Sequence, residues 1–171
     1  MILAQTERPA CLVLSRQALP TLDRTKYAAA SGLARGAYVL ADAAAGEPEV
    51  ILMGTGGEVS LCVEAYERLA AEGVKARVVS MPSWDLFEAQ DEAYREQVLP
   101  RAVSARVAVE EAAELGWARY AGSDGEVIAM RTFGASAPAK ALTAKFGFTA
   151  DHVYEAAKRQ LARSSKGTPA R

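Results

Sequence analysis

Histidine is nearly absent from this chain: its 171 residues include one, His152. Nucleophilic catalysis through a Ser-His-Asp or Cys-His pair would have to be built on that residue, and nothing in the sequence supports such a pair. His152 stands third in a helix that Thr149 can cap, a position normally solvated. Self-sufficient acid–base catalysis is therefore not expected. Cysteine is scarce as well. Cys11 and Cys62 both fall on apolar runs, so they read as buried free thiols rather than as a disulfide or metal framework. Charge of one sign is missing: 20 Lys and Arg against 21 Asp and Glu leave a net charge of −1, which offers no footprint for nucleic acid or an anionic membrane. No apolar run approaches the length of a membrane span. Met1–Cys11 contains Glu7 and Arg8 without a cationic leader, so no signal peptide is expected and a cytoplasmic location follows. What the chain does have is 50% hydrophobic residues, enough for one domain with a substantial core.

The most informative stretch is Val50–Pro82. Val50–Met53 is a short continuous apolar run, the signature of a strand buried on both faces. The turn Gly54–Gly57 follows, and then Val59, Cys62, Val63, Tyr66, Leu69 and Ala70 recur at helical spacing. Gly73 closes that helix, and Arg77–Met81 is a second strand ended by Pro82. Strand, helix and strand within about 33 residues make a right-handed βαβ crossover. The fold class is α/β.

A glycine turn between strand and helix raises the question of a nucleotide. Gly54 and Gly56 satisfy the first half of G-x-G-x-x-G, but Val59 holds the third glycine position and no acid follows the second strand. No G-K-[ST] is present either, which excludes a P-loop. The turn reads as a tight connection, and whether it binds a regulatory ligand stays open.

Elsewhere, Ala10–Ser15 is an apolar run that reads as a strand, with Arg16 and Gln17 at its C-terminal end. Thr21–Gly36 reads as a polar, irregular linker, and Tyr38–Leu40 as an edge strand. Ser83 and Asp91 are placed to cap two short helices, Trp84–Ala89 and Glu92–Val98. Arg106–Val109 is a third strand of the sheet, ending in Glu110-Glu111. Two adjacent carboxylates invite an acid–base hypothesis, but neighbours on a strand point to opposite faces and cannot converge on one atom. Gly116, Trp117 and Tyr120 form an aromatic cluster, and Val127–Met130 is a further strand. Ser136 with Pro138 opens a helix closed by Gly147, and the last helix buries Val153, Ala156, Ala157 and Leu161. The tail Ser164–Arg171 is expected to be disordered.

The order of segments LVLSRQALP, GAYVLAD, VILMGTGGEVSL, ARVVSMPSWDLFEAQ, YREQVLP, ELGWARYAG, RTFGASAP and KFGFTADHV resembles the C-terminal region of transketolase, over roughly residues 8 to 160. Gly57 is a departure, since the family more often has Ser before the Glu-Val pair. The resemblance implies a three-layer α/β/α domain with a mixed, mostly parallel five-stranded sheet. It divides the chain into the last strand of a preceding pyrimidine-binding domain (1–20), a linker (21–36), the C-terminal domain (37–163) and a tail (164–171). It places the natural start of the chain upstream of Met1.

The family transfers a two-carbon ketol unit from a ketose phosphate to an aldose phosphate in the pentose phosphate pathway. It works as a homodimer with thiamine diphosphate and Mg²⁺ or Ca²⁺. In the family the metal ligands and the activating glutamate come from the N-terminal and middle domains. The family's metal motif is not matched, as Ser123-Asp124-Gly125 lacks both its first glycine and the downstream Asn. No cofactor, metal or catalytic residue is thus expected in this chain, whose role would be structural and dimer-supporting. One residue carries over: the arginine of LSRQ, here Arg16, would bind the sugar phosphate through a bidentate guanidinium. Without the resemblance, Arg16 would read as a surface arginine. The competing classes are a free-standing regulatory or interaction module of the same fold and the matching domain of another thiamine-diphosphate enzyme. SMPSWDLFEAQ and FGASAP argue against the latter.

Overall fold

The computed structural model describes residues 9–167. Strands β1 (Tyr38–Ala41), β2 (Val50–Gly54), β3 (Ala76–Ser80), β4 (Arg106–Ala113) and β5 (Glu126–Met130) form one sheet in the order β1-β3-β2-β4-β5. β2, β3, β4 and β5 run parallel, and β1 is antiparallel on the edge beside β3. β2 is an unbroken aliphatic run up to Gly54, and β3 carries Ala76, Val78 and Val79, because both faces of these strands are covered. The alternation of side chains sorts them cleanly. Val50, Leu52, Val78, Val107 and Val109 meet α1 (Val59–Ala71) and α6 (Ala150–Gly167) on one face. Ile51, Met53, Val79 and Ala108 meet α2 (Trp84–Glu88), α3 (Glu92–Val98) and α4 (Ala118–Ala121) on the other. The three-layer α/β/α sandwich with a mixed five-stranded sheet is the architecture that the resemblance implies.

The expected caps are present: the Ser83 side chain accepts from the Leu86 N–H, and Asp91 accepts from the Tyr94 N–H. Thr149 Oγ1 likewise accepts from the His152 N–H at 3.2 Å. Helix α5 (Ala139–Phe146) begins behind Pro138 without a side-chain cap, so Ser136 does not serve as one.

Several expectations are corrected. Ala10–Ser15 forms no strand with the described residues: residues 9 to 15 have no ladder among them, and Leu12, Val13 and Leu14 are exposed. An isolated strand cannot satisfy its backbone groups, so strand propensity alone does not order it. Cys11 on this arm is consequently exposed, while Cys62 is buried. Thr21–Gly36 is not merely a linker. Tyr27 enters the core, its hydroxyl donates to Glu67 at 2.6 Å, and Ala30–Arg35 forms a 3-10 segment. Ala65, not Ala70, lies on the buried face of α1. β4 does not stop before its glutamates but runs to Ala113 through a bulge between Glu110 and Ala113. Residues 164–167 continue α6, so the tail expected from Ser164 is helical there. The remainder of that tail, 168–171, and residues 1–8 lie outside the described residues.

Candidate functional site

In a parallel sheet the carboxyl ends of the strands gather functional groups, above all where successive crossovers leave in opposite directions. Here β2 connects to β3 on one side while β4 lies on the other, so that point falls between β2 and β4. The Gly54–Gly57 turn leaves β2 there. A β-carbon on Gly54 would sit 3.1 Å from the Val59 nitrogen and 3.2 Å from Cys62 Sγ, so only glycine lets the helix approach the strand this closely. Thr55 Oγ1 donates to the Met81 carbonyl at 2.9 Å, and Ser60 Oγ donates to the Gly57 carbonyl at 2.8 Å. The turn is held by its own side chains.

The crevice is occupied by carboxylates. Glu58 Oε1 accepts the Glu111 backbone N–H at 2.7 Å. Burial pushes the Glu58 carboxyl above the usual carboxylate range, and the Glu111 and Glu110 charges push the same way, against the pull of the backbone hydrogen bonds. Glu110 Oε2 accepts the Trp117 indole N–H at 3.2 Å, and its Oε1 accepts the Ala112 N–H at 3.1 Å. Glu110 is thus engaged by the Trp117 indole and the Ala112 N–H, while Glu111 meets Glu58 through its backbone N–H. The Cys62 thiol lies 3.6 Å from the Met53 carbonyl, and burial raises its pKa, so it is an inert core group.

Arg16 is exposed on the arm, beside a local turn in which Ser15 Oγ accepts the Gln17 N–H at 3.2 Å. Its guanidinium has no hydrogen bond or ion pair to the described residues. The arm touches the sheet edge through Leu19, whose Cδ2 lies 3.3 Å from where a β-carbon on Gly57 would be. Three residues span at most about 11 Å, so the Arg16 backbone is confined to the neighbourhood of the Gly57 turn. His152 is remote from this edge chemistry. Its Nδ1 donates to the Gly147 carbonyl at 2.9 Å and ties α5 to α6.

Sequence reasoning passed over two polar groups. Glu58 could have been found as an acid directly after a glycine turn at a strand's carboxyl end. Glu88 binds the far face together, accepting from Arg95 at 3.1 Å and Arg119 at 2.7 Å. It joins the helices of SMPSWDLFEAQ, YREQVLP and ELGWARYAG, whose Trp84, Trp117 and Tyr120 rings also stack edge-on or tilted. Among the described residues no group of His, Cys, Asp and Glu could hold a metal ion, and no helix is long and apolar enough to cross a membrane.

Residues 36–149 match the family model described as the transketolase-like TK C-terminal domain. The chain is 56% identical to transketolase 1 of Escherichia coli over 153 residues, covering 90% of this chain and 23% of that protein. It is 50% identical to the transketolase of Geobacillus stearothermophilus over 161 residues, 94% of this chain and 24% of the relative. The fold is similar to a crystal structure of Pichia stipitis transketolase in complex with sedoheptulose 7-phosphate, with a TM-score of 0.77 and 33% identity, over 88% of this chain and 21% of that one. The chain spans about a quarter of the length of the curated relatives that it matches. It therefore belongs to the transketolase family, of which it forms the C-terminal domain.

Proposed function

We propose that this chain serves in a cytoplasmic transketolase that moves a two-carbon ketol unit between sugar phosphates, and that its part is to support the homodimer and to supply Arg16 to the substrate phosphate. The observation that carries the proposal is the Arg16 guanidinium, free among the described residues and presented on an arm that is tethered three residues later at the carboxyl edge of the sheet. A guanidinium already committed to an internal carboxylate, as Arg77 is to Asp42, could not serve a ligand in this way.

The Gly54–Gly57 turn does not fit the diphosphate of thiamine diphosphate. The Gly54–Gly57 turn has the strand-to-helix form that cradles phosphates, but Glu58 Oε2 lies 3.7 Å from the β-carbon position of Gly56 and Glu110 and Glu111 stand close by. Carboxylates at that place repel a diphosphate. The cofactor and its Mg²⁺ or Ca²⁺ are assigned to the N-terminal and middle domains, and with them the ketol chemistry. The Gly54–Gly57 turn then acts as a structural connection.

The test is substrate discrimination. In the intact enzyme Arg16→Ala should impair phosphorylated substrates and spare non-phosphorylated ones.

A further inference from the structure

We propose that the amino end of the face covered by α2, α3 and α4 carries a binding site for a phosphate group, built by Arg95, Arg101, Arg106 and Arg119. The four side chains come from four places in the chain: α3, the loop after it, the start of β4 and α4. They line one cavity of about 200 Å³ together with Glu88 and Glu96. Arg106 pairs with Ile51 at the start of the parallel ladder, and Val109 pairs with Gly54 further along it. The cavity therefore lies at the opposite end of β4 from Glu110 and Glu111.

Positive charge is in excess here. Four guanidiniums line the cavity against two carboxylates, and Glu92, which reaches Arg101 at 2.6 Å from outside the lining, does not bring the balance to zero. Glu88 is shared, accepting from Arg95 at 3.1 Å and from Arg119 at 2.7 Å. Glu96 lies 3.4 Å from Arg101. Arg106 has no ion pair among the described residues. Its donors go to the carbonyls of Val103 at 2.8 Å, Tyr120 at 2.6 Å, Pro100 at 2.8 Å and Leu99 at 3.3 Å. Those carbonyls fix the cation in place without neutralising it, and burial pushes the Arg106 guanidinium below its ordinary range against the opposing pull of Glu96. A charge so placed gains from an anion beside it.

One donor asks for a partner outright. The Arg95 Nε is shielded from solvent and meets no acceptor among the described residues. A buried N–H of a cation left in that state costs free energy that an oxyanion would recover. Arg77 shows the saturated alternative: its Nε and one terminal nitrogen hold Asp42, and the other reaches the Gln97 and Val98 carbonyls, so nothing is left for a ligand.

The ligand class follows from charge, donors and size. Guanidiniums arranged around one space match the oxygens of a phosphate group. A water takes roughly 30 Å³ in the liquid, so the cavity has room for a tetrahedral oxyanion with a short chain of atoms, and pockets for larger organic ligands begin at about 300 Å³. The carboxylates present do not bar an anion, because Glu88 and Glu96 are each bound to guanidiniums. Glu58 and Glu110, at the other end of the sheet, are held only by neutral N–H groups.

The test titrates the chain with inorganic phosphate at constant ionic strength, in an Arg16→Ala background so that the arm takes no part and the result is independent of the role proposed for Arg16. Binding is followed by calorimetry and by the arginine Nε–H signals in ¹⁵N NMR. Phosphate should bind saturably, and the Arg95 Nε–H signal, identified by its loss in Arg95→Lys, should move along the same isotherm. Arg101→Gln and Arg119→Gln change side chains that are largely exposed, and each should weaken binding by about tenfold, the size of one lost charge-assisted contact. Glycerol 3-phosphate separates the two sources of the group. Tighter binding than inorganic phosphate, with the same dependence on Arg101 and Arg119, assigns the site to phosphate monoesters, and weaker binding assigns it to the free ion. No saturable binding, affinities unchanged in both glutamine variants, or an equal response to added chloride would overturn the proposal. An Arg95 Nε–H signal unmoved at saturating phosphate would overturn it without recourse to those variants.

Discussion

The Glu58 carboxylate accepts the backbone N–H of Glu111 at 2.7 Å, joining the start of α1 to the bulged end of β4 across the point where the sheet's crossovers diverge. Glu58 is raised above the usual carboxylate range by burial. A carboxyl whose pKa is higher folded than unfolded binds more protons in the folded state. Its contribution to stability is therefore present at acid pH and declines as the pH rises through its raised value. Glu126, held below its usual range by Arg159, contributes in the opposite sense and is lost on acidification. Glu58→Gln keeps an oxygen for the Glu111 N–H and removes the buried charge. Urea unfolding from pH 4 to 8 should show the variant gaining on wild type as the pH rises. A difference independent of pH would contradict the assignment.

Gly116 and Trp84 lie too close for any side chain between them. A β-carbon at 116 would fall 2.5 Å from Trp84 Cζ3, at a positive φ of 88°. Gly116→Ala should cost about 2–4 kcal/mol, combining overpacking with backbone strain. Gly122→Ala, at φ 82° in open space, should cost only the strain, about 1–2 kcal/mol. Equal losses in denaturant melts would mean that the Trp84 contact is not tight.

Asp42 receives the Arg77 guanidinium through two hydrogen bonds, of 2.8 and 2.9 Å, and Arg77 is itself buried. Asp42→Ala leaves that cation short of its counter-charge and should destabilise the fold by about 2–3 kcal/mol, tempered because Asp42 is half exposed. Asp42→Ala in an Arg77→Met background should cost far less. A full loss in both backgrounds would place the role of Asp42 elsewhere.

The β-strands, the α1 crossover and most caps were legible in the sequence because they are local: a buried strand is an apolar run, and a cap is one residue with one N–H. What escaped depends on distant partners. Ala10–Ser15 has strand propensity but no ladder, and Tyr27 sits in a polar stretch yet finds Glu67 and the core. Gln160 is buried on α6 although its side chain is polar. Glu58 and Glu88 acquire their roles from partners as far as 53 and 31 residues away, which no periodicity reveals. The role proposed for Arg16 rests on the resemblance, since its neighbours alone describe a surface arginine.

The chain alone should neither transfer ketol units nor respond to thiamine diphosphate with Mg²⁺. A ligand at 100 times its dissociation constant adds about 2.7 kcal/mol to a protein that binds it, and for a domain of this size that raises Tm by several degrees. An unchanged Tm is expected. A rise of that size, or turnover of xylulose 5-phosphate with ribose 5-phosphate, would return the Gly54–Gly57 turn to consideration as a phosphate site.

The most direct measurement is kcat/KM of Arg16→Ala in the intact enzyme with phosphorylated and non-phosphorylated substrates side by side. Losing a hydrogen-bonded charge at the phosphate should weaken phosphorylated substrates by roughly 1.5–3 kcal/mol, about one to two decades in kcat/KM. Glycolaldehyde as acceptor should be nearly unaffected, since it carries no phosphate. Arg16→Lys should recover part of the loss, because an ammonium keeps the charge without the planar fork. Equal losses on both substrate classes would contradict the account and return Arg16 to the surface.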